Sequence, residues 1–210
     1  MTLRAQASAF IELLLESRVL LIGDFVTKAG LHTPYFLNFG NLATGKALAE
    51  LGKAYAARIQ DWGIEFDMLF GAAYKGIPIA TATAFALAEM SDTPVKVGFN
   101  RKETKDHGEG GDGLGAPMAG RVLLLDDVTS AGTTAREMQA RVQGSNAEFV
   151  GMLVGVDRQD PSEIAGQTFL EAVSEEIGVP IKSIVTKADI QTFVSGDPKW
   201  AEFADVLRGN

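Results

Sequence analysis

The 210-residue chain contains no cysteine. That excludes a disulfide scaffold, a thiolate zinc site and a cysteine nucleophile. Histidine is nearly absent too: His32 and His107 are the only two, too few for a multi-histidine metal centre. Basic residues are outnumbered, 19 Lys and Arg against 27 Asp and Glu, for a net charge of −8. General binding to nucleic acid or to an anionic membrane needs a basic face, so neither is expected as a partner. No apolar run approaches the roughly 18 residues of a membrane span. The leucine run near the start, in AFIELLLESR, has a glutamate on either side and no small-residue cleavage site after it. It reads as an amphipathic helix, not as a signal peptide. A cytoplasmic protein is the expectation.

What is present is a core-forming composition, 46% hydrophobic and 22% charged, in a length that suits one domain. No internal repeat or low-complexity linker breaks it. A helix is expected over about residues 3–17, followed by extended segments at VLLIGDFVTK and YFLN with a turn, AGLHTP, between them; His32 reads as a surface turn residue. Thr44 can cap a helix that Gly63 ends. Short apolar strands then alternate with helices. FDMLF, VKVGFN, RVLLLD, FVGMLVGVD and IKSIVT read as strands; GIPIATATAFALAEM and TTAREMQARVQ read as helices, with one or two more ending near Leu207. Continuous apolar strands alternating with helices indicate an α/β fold with a mostly parallel sheet flanked by helices. Between VKVGFN and RVLLLD lies one long glycine-rich segment, RKETKDHGEGGDGLGAPMAG, expected to be a loop.

The chemistry gathers at RVLLLDDVTSAGTTARE. An apolar strand, expected to end at Leu125, runs into the adjacent carboxylates Asp126 and Asp127. In open α/β sheets ligands bind beyond the carboxyl ends of strands. Thr129, Ser130, Gly132, Thr133 and Thr134 follow, immediately before a helix. Small hydroxyl residues at a helix N-terminus make a phosphate cradle. The acids can accept hydrogen bonds from sugar hydroxyls or stand near Mg²⁺. A ligand with a sugar beside a phosphate would use both halves. The alternative is a plain strand–turn–helix with Thr133 or Thr134 as cap. GDGLGA fits the spacing GxGxxA, but it lies in a long loop and leads into a strand, so the dinucleotide reading is rejected.

VLLLDDVTSAGTT resembles the phosphoribosyl-pyrophosphate (PRPP) motif of the type I phosphoribosyltransferases. FVTKAGLHTPYFLN, FGAAYKGIPIA, NRKETKDHGEGG and GVDRQD resemble, in order, the corresponding segments of the orotate phosphoribosyltransferases within that family. The resemblance spans about residues 10–160. It implies a single phosphoribosyltransferase domain over residues 1–210, with a core over about 43–186. It also implies a small hood built mainly from about 1–42, with part of the C-terminal tail as a further candidate. It implies transfer of a phosphoribosyl group from PRPP to orotate, a step of pyrimidine biosynthesis, with Mg²⁺ as cofactor. Mg²⁺ would be held mainly by substrate and water near Asp126 and Asp127, with no firm protein ligand.

The same resemblance assigns residues. PRPP would be bound by Lys28, Tyr74, Lys75, Arg101, Lys102, Lys105, His107 and the run Asp126, Asp127, Val128, Thr129, Ser130, Ala131, Gly132, Thr133, Thr134. Lys75, Lys105 and His107 would be catalytic. Orotate would meet Lys28, Phe36, Leu37, Ser130 and Arg158, the last gripping its carboxylate. Leu37 stands where the family often has a second aromatic, which leaves a main-chain contact there but weakens stacking. Segment 101–118 would be a lid that reaches the neighbouring active site, which implies a homodimer. Read alone, Lys75 is sooner a solvated lysine of a tight strand–helix turn than a ligand contact, and Arg158 is equally a surface arginine paired with Asp157 or Asp160. Two rivals stand beside this reading: a phosphoribosyltransferase for a purine base, and a PRPP-sensing regulator without catalysis.

Overall fold

The computed structural model describes residues 5–26, 32–91, 94–105, 111–129, 132–143 and 145–208; side chains are described outside 102–105 and 111–112. Its centre is a six-stranded sheet in the order β5-β4-β3-β6-β7-β8. The strands are β3 (Met68–Gly71), β4 (Lys96–Lys105), β5 (Gly111–Gly115), β6 (Gly120–Val128), β7 (Ala147–Asp157) and β8 (Ile181–Thr186). All neighbours run parallel except β4 and β5. A separate antiparallel pair, β1 (Leu20–Val26) and β2 (His32–Leu37), precedes it.

The apolar strand runs are explained by two covered faces. Along β6, Leu123 and Leu125 enter one core and Val122 and Leu124 the other, as side chains alternate. The first core is roofed by helices α1 (Ala5–Glu16), α2 (Gly45–Trp62), α3 (Gly76–Met90), α6 (Lys187–Ser195) and α7 (Ala201–Arg208). The second is covered by α4 (Thr133–Val142) and α5 (Phe169–Ile177). Both expected ends of α2 are present: Thr44 Oγ1 accepts the Ala47 N–H, and Gly63 closes the helix at φ 67°. Such an N-cap is worth about 1 kcal/mol.

Four expectations are corrected. The segment after VKVGFN is not one loop: β4 continues to Lys105 and pairs antiparallel with β5. Edge pairing satisfies backbone groups that a free loop would leave to water. Gly115 permits it, because a Cβ there would stand 2.4 Å from the Val97 carbonyl oxygen. GDGLGA is thus mostly strand, and no helix follows it. His32 lies in β2 opposite Val26, not in a turn, with Nδ1 2.9 Å from Asp24 Oδ1. The helix α5 was not anticipated, although Thr168 and Glu171 form a reciprocal capping box at its start.

Candidate active site

The acid pair is not at a solvated strand end. β6 runs through both aspartates to Val128, and Asp126 and Asp127 are only 9% and 5% exposed. Strand alternation sends their side chains to opposite faces of the sheet, which eases their repulsion. Asp127 Oδ2 lies 2.7 Å from Lys75 Nζ, at the start of α3. Asp126 turns toward α4, where the Thr134 hydroxyl bonds it, and its Oδ1 accepts the Asp127 N–H at 3.0 Å. Burial, and then the neighbouring Asp127 charge, push the Asp126 carboxyl up to about 7. From below, the buried Tyr55 hydroxyl of α2 donates to the Asp126 carbonyl at 2.8 Å.

Two helix starts face this pair, and they differ from those of α2, α5 and α6. Threonine side chains cap α2, α5 and α6. Among the described residues, α3 and α4 have no side-chain cap, and their N-cap positions are Lys75 and Gly132. At α4 the first N–H groups are therefore left to another acceptor, whereas those of α3 are bonded within their own turn, Gly76 N–H to the Ala72 carbonyl at 2.8 Å and Ile77 N–H to the Tyr74 carbonyl at 3.3 Å. Gly132 sits at φ 64°, where a Cβ would come within 2.7 Å of Val173. Thr133 and Thr134, read as alternative caps, are instead the first two residues inside the helix. The β3–α3 turn is as tight: a Cβ on Gly71 would meet the Gly76 carbonyl oxygen at 2.2 Å. The Ala73–Tyr74 peptide within it is cis. Tyr74 is largely exposed, and Asn100 Oδ1 accepts the Ala73 N–H at 2.6 Å.

The structure thus brings Lys75, Asp126, Asp127, Val128, Gly132, Thr133 and Thr134 to the carboxyl ends of β3 and β6, with Thr129 next in the chain. Arg101, Lys102 and Lys105 lie on β4, the side chains of the two lysines being outside the described set. Lys28, His107, Ser130 and Ala131 lie outside the described residues. Phe36 and Leu37 share β2 but not a face. Leu37 is buried in the core, while Phe36 is exposed and its ring packs 5.6 Å from Phe25. Arg158 follows β7 with its guanidinium 5.3 Å from the Tyr35 ring centre. Its Nε is 3.0 Å from Asp160 Oδ2, but without hydrogen-bond geometry. Of the two pairings open to it, Asp160 is the one formed, and the side chain is mostly buried. Lys187 approaches the same Tyr35 ring at 5.8 Å. Asn100 and Tyr35 stand inside the segments NRKETKDHGEGG and FVTKAGLHTPYFLN but are not singled out there, whereas Tyr55 and Lys187 carry no local sequence signal and only the fold brings them here. A cleft of about 740 Å³ lined by Phe70, Phe99, Leu114 and Met118 lies elsewhere and contains none of the expected site residues.

No protein-family model matches the chain. An orotate phosphoribosyltransferase crystal structure from Francisella tularensis superimposes with a TM-score of 0.78 at 32% identity, covering 95% of this chain and 96% of that one. That likeness, with the mostly parallel sheet, places the fold among the type I phosphoribosyltransferases. Two curated relatives narrow the class. Orotate phosphoribosyltransferase of Vibrio vulnificus is 45% identical over 206 residues, 98% of this chain and 96% of the relative. That of Salmonella arizonae is 47% identical over 201 residues, 95% and 93% of the two chains. The chain belongs to the orotate phosphoribosyltransferase family, which are pentosyltransferase enzymes.

Proposed function

We propose that this chain transfers the 5-phosphoribosyl group from PRPP to orotate, giving orotidine 5′-phosphate and pyrophosphate in de novo pyrimidine (UMP) synthesis. The observation that carries the reading is the buried acid pair set between two helix starts without side-chain caps. Such a site offers hydroxyl acceptors at the centre, anion-binding amides at the start of α4 and the Lys75 ammonium at the start of α3. That matches a ribose with phosphate at C5 and pyrophosphate at C1. Asp126 and Asp127 take the ribose hydroxyls. Val128–Thr134 take the 5-phosphate, with Ser130 and Ala131 completing the run. Tyr74, Lys75 and Arg101 serve the pyrophosphate, joined by Lys102, Lys105 and His107 from the lid over 101–118.

Orotate is placed by Lys28, Ser130, the β2 backbone at Phe36 and Leu37, and Arg158, whose fork suits a carboxylate. A carboxylate oxygen, Asp160 Oδ2, lies 3.0 Å from its Nε. The hood comprises about residues 1–42 with part of the C-terminal tail, which is supported by the packing of α7 on β2. The reaction is displacement at ribose C1: the bond to the orotate nitrogen forms as the bond to the pyrophosphate oxygen breaks, with oxocarbenium-like character. Catalysis rests on positioning and on stabilising charge on the leaving group. No covalent nucleophile is required.

Mg²⁺ fits this site. Burial and the neighbouring Asp127 charge penalise an ionised Asp126, a penalty that a nearby cation would relieve, and carboxylate oxygens suit a hard ion. The ion would be held mainly by substrate and water, beside Asp126 and Asp127. It would supply charge neutralisation on the polyanionic substrate. A lid that serves the adjacent site makes the working unit a homodimer. No helix among the described residues is long and apolar enough to cross a membrane, and the reading places the enzyme in the cytoplasm. The test is to mix protein, Mg²⁺ and PRPP with orotate or with one purine base at a time, and to follow orotate absorbance. Loss of orotate supports the proposal; turnover of a purine without loss of orotate overturns it.

A further inference from the structure

The ladder between β3 and β4 ends at the pair Gly71–Phe99. Beyond it the β3 chain turns into the segment that leads to Lys75, and its amides leave the sheet. One side chain continues the ladder where the backbone stops. Asn100, the next residue of β4, accepts the Ala73 N–H through Oδ1 at 2.6 Å. Asn100 is also the last regular partner on the other side of its strand. It pairs with Gly113 of β5, and the register breaks between Asn100 and Lys105. It therefore stands at the joint of two segments. Ahead of it in the chain begins the basic run Arg101–Lys105; across from it lies the turn whose Lys75 reaches Asp127 at 2.7 Å.

We propose that Asn100 is a positioning residue for the pyrophosphate end of the site. This rests on the function proposed above. Asn100 acts through the 73–75 turn: with Ala73 fixed, Lys75 is held where it bridges the leaving group and the ribose acids. Without the acceptor, a partly buried N–H is left without its bond and the turn relaxes. The base side of the site lies at β2, in the separate hairpin, and at Arg158 after β7, which two strands, β3 and β6, separate from the β4 of Asn100.

The test compares the wild type with Asn100→Ala, Asn100→Asp, Lys75→Ala and the double variant Asn100→Ala/Lys75→Ala, with both substrates varied. Wild-type turnover of orotate with PRPP secures the underlying reading independently; its absence would sink that reading, not this one. For Asn100→Ala the KM for PRPP is expected to rise about tenfold, the effect of one lost hydrogen bond. The KM for orotate should stay within about twofold. In the Lys75→Ala background the same substitution should change little further, because its effect passes through Lys75. Asn100→Asp keeps an oxygen acceptor for Ala73 and should recover part of the loss in PRPP KM. Equal changes in both KM values, a full effect in the absence of Lys75, or an aspartate variant as poor as alanine would each overturn the proposal. If Asn100→Ala does not fold, Asn100→Ser, whose hydroxyl is one bond too short to reach, is measured in its place.

Discussion

Replacing Asp126 with asparagine should stabilise the ligand-free protein, and the gain should grow with pH. Burial, then the Asp127 charge, raise the Asp126 carboxyl from 3.8 to about 7. A raised acid binds its proton more tightly folded than unfolded. Its stabilisation is therefore whole below the unfolded value and is lost as pH climbs toward the folded one. At 1.36 kcal/mol per pH unit, the loss accumulates to roughly 4 kcal/mol by pH 8 and is under about 1 kcal/mol at pH 4. Asparagine cannot ionise, and its oxygen can still accept the Asp127 N–H that Asp126 accepts at 3.0 Å. For a chain of this size each kcal/mol moves the melting point by roughly 2–4 °C. Melting curves of both proteins by circular dichroism, from pH 4 to pH 8, should separate by several degrees at the alkaline end and converge at the acid end. A separation constant across the range would refute the burial argument. The same variant should use PRPP poorly, since a buried charge kept at such cost serves the ligand.

Three further outcomes are expected. Arg158→Ala should raise the KM for orotate far more than that for PRPP, by about tenfold or more if a charged hydrogen bond is lost; equal losses in steady-state kinetics would remove the carboxylate role. Lys105→Ala should lower kcat with PRPP affinity less affected, because a lid contact forms in the closed state; a normal kcat would remove the lid role. Gly132→Ala should cost roughly 1–3 kcal/mol, since its left-handed backbone and the Val173 contact both oppose a Cβ. An unchanged melting temperature would contradict that geometry.

Much of the fold could be read from the chain because the apolar runs are local. VLLL is apolar throughout because both faces of β6 are covered, and no long-range knowledge is needed to see it. The β4–β5 hairpin could not be read in the same way. GDGLG breaks strand propensity, and it forms a strand only because β4 offers an edge to pair with. The missed α5 is different in kind, since its Thr168–Glu171 capping box was in plain view. At the site, the order acid pair, hydroxyl loop, helix was legible as a motif. Its electrostatics were not: Lys75 meets Asp127 from 52 positions away, and the split of the two acids across the sheet follows from a strand three residues longer than expected.

The packing of α7 on β2 bears on the order in which the molecule can be completed during synthesis. Leu20 and Leu37 of the hairpin share one core with Ile190 and Leu207, and Lys199 bonds Glu16. The hairpin leaves the ribosome before every strand of the main sheet, yet its cover is made after all of them. The nascent chain must carry these apolar side chains without their final neighbours while the central sheet assembles. The phosphate-binding half can thus form first. The half that would choose the base is finished only once the last helix emerges.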